Sequence, residues 1–187
     1  MRDFIMVTLG TGLGSGFVAG GQVIYGHDGM AGELGHVVVE PGGRQCGCGR
    51  RGCLETYVSA TGIKRTVFEL MARETVPSVL RDVLSADSTP DDYRGGAEGR
   101  SAGARGFSLY GQMLARALAD AVAVTSPEAV FLFGGLAQAG DFLLEPVRRY
   151  LDEKLLYVYR GNVKVLPSGI PAQNAAILGA SALVWAE

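Results

Sequence analysis

The sequence predicts an α/β fold, a mixed β-sheet with helices on both faces. Three observations carry that expectation. The first 25 residues read as strands joined by a glycine-rich turn, and the second half alternates helix, strand, helix, strand, helix. Apolar residues make up 48% of the chain, which supplies a core, yet none of their runs reaches the roughly 18 residues that cross a bilayer.

The opening "FIMVTLGTGLGSGFVAGGQVIYG" predicts strands over 4–9 and 17–25, divided by a loop of glycine, threonine and serine. A third apolar run, "HVVVE", predicts another strand before the first helix. From Leu54 to about Ala72 apolar side chains recur at helical intervals, with Gly62 weakening but not ending the helix. Residues 85–96 are turn-rich and read as a loop inside one domain. A long helix is expected from Ser108 to Pro127, followed by the strand "AVFLFGG", an amphipathic helix over 142–156, the strand "NVKVLP" and the closing helix "NAAILGASALVWA".

The net charge of -2 and 17 dispersed basic residues supply no cationic stripe, so nucleic acid is not an indicated partner, and neither is a membrane. The start "MRDFIMVTLG" has no long apolar stretch with a small-residue cleavage site and reads as a strand, so a cytoplasmic location is expected.

All 3 cysteines fall in "CGCGRRGCLE", residues 46–55, a loop interrupted by Gly47, Gly49 and Gly52. Cys46, Cys48 and Cys53 with His36 make a set of three thiolates and one imidazole, which suits closed tetrahedral zinc. The binding energy of such an ion becomes folding energy for a loop that glycine leaves loose. Unpaired thiols beside a core histidine, or a redox pair, are the competing readings.

In "TLGTGLGSG", residues 8–16, glycines open the main-chain N–H groups to a ligand, and Thr8, Thr11 and Ser15 add hydroxyls. A phosphate cradle and a merely flexible hairpin both fit, because neither a P-loop lysine nor a Rossmann helix follows. "FLFGGLAQAG", residues 131–140, ends a buried strand at Gly134 and Gly135. There a nucleotide can lie against backbone, although a tight turn alone would also use those glycines. In "GMAGELGH", residues 29–36, Glu33 can accept hydrogen bonds from ligand hydroxyls, while His36 can hold a metal through one nitrogen and offer the other. Glu55 follows Cys53 closely enough to face the same place, and for both carboxylates a plain surface role is the alternative.

Together "TLGTGLGSG", "GELGH", "CGCGRRGCLE" and "FLFGGLAQAG", in that order, with the closing "NAAILGASALVW", resemble the ROK family of bacterial sugar kinases and related repressors, its glucokinase-like members above all. The resemblance implies an actin-like ATPase (ribonuclease H-like) fold, with residues 1–187 forming a single C-terminal lobe and the zinc-binding loop at 36–53. It implies that Thr8, Gly10, Thr11 and Gly12 meet the phosphates of ATP, that Gly134 and Gly135 border the adenosine, and that Glu33, His36 and Glu55 bind sugar hydroxyls. His36, Cys46, Cys48 and Cys53 would hold structural zinc, with magnesium accompanying ATP.

The expected whole-protein reaction is ATP-dependent phosphorylation of a hexose, foremost glucose to glucose 6-phosphate; the alternative is the sugar-binding domain of a repressor. The family's catalytic aspartate belongs to an Asn-Asp pair in a preceding lobe, and no Asn-Asp dipeptide occurs here. This sequence is therefore read as the second lobe only, lacking the N-terminal lobe, inactive alone, and contacting either that lobe or a second copy in a homodimer.

Overall fold

The computed structural model describes residues 1–73, 81 and 102–170. Strand β1 (Phe4–Leu9) turns back on β2 (Leu13–Ala19), with Thr8 opposite Gly14 and Leu9 opposite Leu13. A second turn joins β2 to the two-residue β3 (Gln22–Val23), and its Gly20 and Gly21 have φ of 60° and 84°. Two consecutive positive φ angles are what a tight hairpin needs to match strand twist. On its other side β1 pairs in parallel with β4 (Ala129–Phe133), which pairs in parallel with β5 (Lys164–Pro167). The sheet order is β3-β2-β1-β4-β5.

Parallel neighbours need crossovers, and helices provide them. Helices α1 (Ala60–Arg73) and α2 (Ala102–Thr125) lie between the hairpins and β4; α3 (Asp141–Lys154) lies between β4 and β5. Alternate strand residues Ile5, Val7, Leu9, Val130, Leu132 and Val165 are buried in one cluster with Val67 of α1, Leu114 and Leu118 of α2 and Leu143 and Val147 of α3. Helix α2 is the hub, because Gly106 and Gly111 carry nothing that would hold its neighbours off. A Cβ at Gly106 would lie 2.5 Å from Val67 of α1, and one at Gly111 would lie 2.6 Å from Pro146 of α3. The opposite sheet face, including the edge-to-face pair Phe4 and Phe131 with ring centroids 5.6 Å apart, is half-buried. The closing helix expected from the sequence, and the turn-rich residues 85–96, lie outside the described residues.

Four local expectations differ. The second strand begins at Leu13 rather than 17, because Gly14 and Gly16 belong to the ladder and only residues 10–12 turn, and it ends at Ala19 rather than 25, where Gly20 and Gly21 fold the chain back into β3. "HVVVE" forms no strand: a 3₁₀ turn occupies Leu34–His36, and among the described residues Val38 pairs through an isolated bridge to Cys53. The helix expected from Leu54 starts at Ala60. Leu54–Thr56 is a separate 3₁₀ turn, and Ser59 caps the true start by accepting the Gly62 N–H at 3.0 Å. The long helix begins earlier than expected, at Ala102, and ends at Thr125. Among the described residues no helix is long and apolar enough to cross a membrane.

Candidate functional site

Because β1 and β4 run in parallel, their C-terminal ends lie side by side, and the first hairpin turn emerges there beside Gly134. Ligands in open α/β sheets collect at this edge. An open cleft here is lined by Thr8, Gly10, Gly12, Gly14, Glu55, Phe133 and Gly134. Glycine is required at two of these places. A Cβ on Gly14 would sit 2.7 Å from the Thr8 hydroxyl across the ladder. Gly134 has φ of 106°, and its Cβ would lie 2.4 Å from the Leu9 carbonyl.

Helix α1 fixes the turn from below. The Ala60 N–H donates to the Gly10 carbonyl at 2.8 Å, and the Thr61 hydroxyl donates to the Thr11 carbonyl at 3.2 Å. With two carbonyls drawn down onto the helix, the turn keeps a fixed shape. Ser15 does not join the cradle. Its hydroxyl donates to the Gly32 carbonyl and accepts the Leu34 N–H at 3.1 Å, which ties the segment carrying Glu33 and His36 to β2.

The four expected metal donors meet. The ligand atoms of His36, Cys46, Cys48 and Cys53 all lie within 4.8 Å of one another. The Cys48 and Cys53 sulfurs are 3.6 Å apart, and Cys46 Sγ is 3.7 Å from His36 Nδ1. A tetrahedral ion with Zn–S bonds of about 2.3 Å holds its sulfurs about 3.8 Å apart, whereas a disulfide needs about 2.05 Å. All three cysteines are free. Spacing and donor type therefore fit a closed tetrahedral site.

Without a cation the thiols differ sharply. Burial pushes Cys46 up to about 12, and burial also raises Cys53. At the exposed Cys48 the Arg50 backbone N–H is the chief cause of a fall to about 6. A coordinated cation would hold all three as thiolates.

Two carboxylates flank this knot. Glu33 approaches His36 Nε2 at 3.8 Å, on the ring edge turned away from the sulfurs. Glu55 Oε1 accepts from the Cys46 thiol at 3.2 Å and lies 3.8 Å from His36 Nδ1. Its Oε2 stands 2.9 Å from where a Gly12 side chain would begin. Glu55 thus reaches from the knot to the hairpin turn.

Of the sequence-identified residues, Thr8, Gly10, Gly12, Glu55 and Gly134 line the cleft, and Thr11 lies in the turn between them. His36 stands beside it through Glu55, whereas Glu33, among the described residues, reaches only His36 and lines a separate groove with Leu34, Val37 and Ala121. Gly134 also lines a second cavity with Phe133, Ala137, Gln138, Pro167 and Ser168, whereas Gly135 lines neither cavity. Thr61 and Arg44 carry no signal in the sequence pattern, and Ser59, a cap-type residue, is masked by the apolar period that begins at Leu54.

Among the described residues a five-stranded mixed sheet of order β3-β2-β1-β4-β5, with a glycine-rich hairpin turn at the cleft, has the actin-like ATPase fold of the sugar kinases it resembles. The ROK family pattern matches residues 1–187, and the chain belongs to the ROK family.

It is 36% identical over 185 residues to a glucokinase of Thermotoga maritima, covering 96% of this chain and 57% of that protein. It is 33% identical over 193 residues to a glucokinase of Streptomyces coelicolor, covering 97% and 59%. The DNA-binding transcriptional dual regulator NagC of Escherichia coli is 29% identical over 183 residues, covering 98% and 44%. In three dimensions the chain is similar to a ROK glucokinase from Streptomyces griseus in complex with glucose and AMPPNP. The TM-score is 0.85 and the identity 30%, over 97% of this chain and 60% of that one. A ROK transcriptional regulator homologous to E. coli MLC gives a TM-score of 0.81 at 30% identity, over 92% and 43%. The chain spans about half the length of the curated relatives it matches.

Proposed function

We propose that the whole protein transfers the γ-phosphoryl group of ATP to a hexose hydroxyl, with glucose the foremost substrate and glucose 6-phosphate the product, and that residues 1–187 supply its phosphate cradle and much of its sugar site. The observation that carries this reading is Glu55, whose two oxygens face the cysteine knot on one side and the hairpin turn on the other. A sugar hydroxyl held by Glu33, His36 and Glu55 would lie within a side-chain length of phosphates against Gly10, Thr11 and Gly12. Phosphoryl transfer asks chiefly for this kind of positioning and charge stabilisation.

In this reading Thr8 and Thr11 offer hydroxyls to the phosphates, and adenosine lies along the cavity bordered by Gly134. Magnesium bound with ATP neutralises phosphate charge. Zinc held by His36, Cys46, Cys48 and Cys53 has no position left for substrate or water, so its contribution is to order the loop that presents Glu55. None of the chain's nine aspartates is assigned as the base that takes the hexose proton.

A coupled assay for ADP formation, run on the whole protein with glucose, mannose and N-acetylglucosamine, tests the proposal. Turnover that requires both ATP and hexose is expected, with glucose used best. The resemblance to NagC and the MLC homologue supports a second reading, a sugar sensor; hexose binding by calorimetry with no turnover would replace the kinase reading with that one.

A further inference from the structure

Arg44, two residues before the first cysteine, uses both its main-chain groups and its guanidinium to join separate parts of the site. Its N–H donates to the Tyr57 hydroxyl at 2.9 Å, and its carbonyl accepts the Gly52 N–H at 2.8 Å. One guanidinium nitrogen, Nη1, donates to the Thr56 carbonyl at 2.8 Å and the Gly62 carbonyl at 3.1 Å. The other, Nη2, donates to the Thr66 hydroxyl at 3.0 Å and to Glu69 Oε2 at 2.9 Å. The fork also lies 4.5 Å over the Tyr57 ring, and the side chain is only 13% exposed.

These partners belong to three pieces of chain. Gly52 is inside the knot between Cys48 and Cys53; Thr56 and Tyr57 follow Glu55 directly; Gly62, Thr66 and Glu69 run along α1. The same helix holds the phosphate-side turn through Ala60 and Thr61. A planar guanidinium can serve four acceptors in two directions at once, and an ammonium cannot.

We propose that Arg44 is a positioning residue that locks the cysteine knot to helix α1 and thereby fixes the distance between Glu55 and the hairpin turn. Arg44 touches neither metal donors nor the cleft, so it acts through the loop it anchors. The inference deepens the sugar-site reading above and rests on zinc occupying the knot.

The test compares wild type, Arg44→Met and Arg44→Lys in the whole protein. Arg44→Met keeps the stem over Tyr57 and removes every side-chain donor; Arg44→Lys keeps the charge beside Glu69 and serves as the folded control should the first variant fail to fold. Zinc release into a chromogenic chelator is expected to be about 10- to 100-fold faster in both, the range typical of residues that orient metal ligands from behind. In the coupled assay the hexose KM should rise by about 10-fold, with the KM for ATP held within about 2-fold, because Ala60 and Thr61 still anchor the turn.

Zinc released at the wild-type rate by both variants overturns the inference. So does a fall in kcat with both KM values unchanged, the mark of lost folded protein. A wild type that holds no zinc overturns the inference together with the metal reading. If wild-type protein turns over no hexose, the kinase reading fails alone, and zinc release still decides the role of Arg44.

Discussion

Strand β4 and the loop from His36 to Glu55 deliver residues to neighbouring places, yet they are held in opposite ways. β4 is paired on both sides, and Val130 and Leu132 are fully buried in a cluster that spans three helices. The loop has two isolated bridges, two 3₁₀ turns and a knot of polar donors. Apolar burial is non-directional and shared among many side chains, so a strand in a core is held by many contacts at once. A knot of four donors has no such redundancy. In the reading proposed above its order rests on an ion and on Arg44, so the two regions should fail under different treatments.

The largest expected effect is on the knot. Stripping zinc with a chelator, or replacing Cys48 by Ala, should destabilise the protein by about 4 kcal/mol relative to protein with free zinc roughly a thousandfold above its Kd. Thermal melts paired with metal analysis check this. About one zinc per chain is expected in wild type, in keeping with a single four-donor site. Metal-free protein that melts with the holo form would erase the distinction between the regions.

Next comes the core. Leu118→Ala, at a fully buried position of α2, should lose about 3 kcal/mol in urea denaturation while zinc content stays at the wild-type level. Loss of zinc in this variant would mean that the knot depends on core packing. The smallest effect sharpens the boundary between the two at the end of β4. Gly134→Ala should lose about 2 kcal/mol because its φ is positive and the Leu9 carbonyl is in the way. Gly135→Ala, whose Cβ would meet nothing within 4 Å among the described residues, should stay within about 0.5 kcal/mol of wild type. Equal melting temperatures for the two variants would remove the steric argument for Gly134.

The same division explains what could be read in the sequence. β1, β4, β5 and α3 were legible to within a few residues, because apolar period and strand-ending glycines follow directly from burial. The knot's donors were legible from chemistry, since three cysteines and a histidine at short spacing have few other uses. What escaped was geometry set by contacts distant in sequence. Gly14 and Gly16 look like loop residues, yet Gly14 is in a strand where the Thr8 hydroxyl takes the space of a side chain. "HVVVE" has strand composition, but it follows the turn that carries His36 and is bridged to Cys53, which leaves it no ladder. Arg44 gave no signal at all, because its six partners are brought to it by the fold.

One consequence of the α1 contacts concerns position. The Ala60 N–H holds the Gly10 carbonyl, and only two residues further on the Gly62 carbonyl is held by Arg44. The turn and the knot are therefore both referenced to the first turn of one helix, as two gauges read from a common zero. The turn is also continuous with β1, which pairs with β4 as far as Thr8 and Phe133, so it is held from the sheet and from α1 at once, and Gly12 keeps its place opposite Glu55.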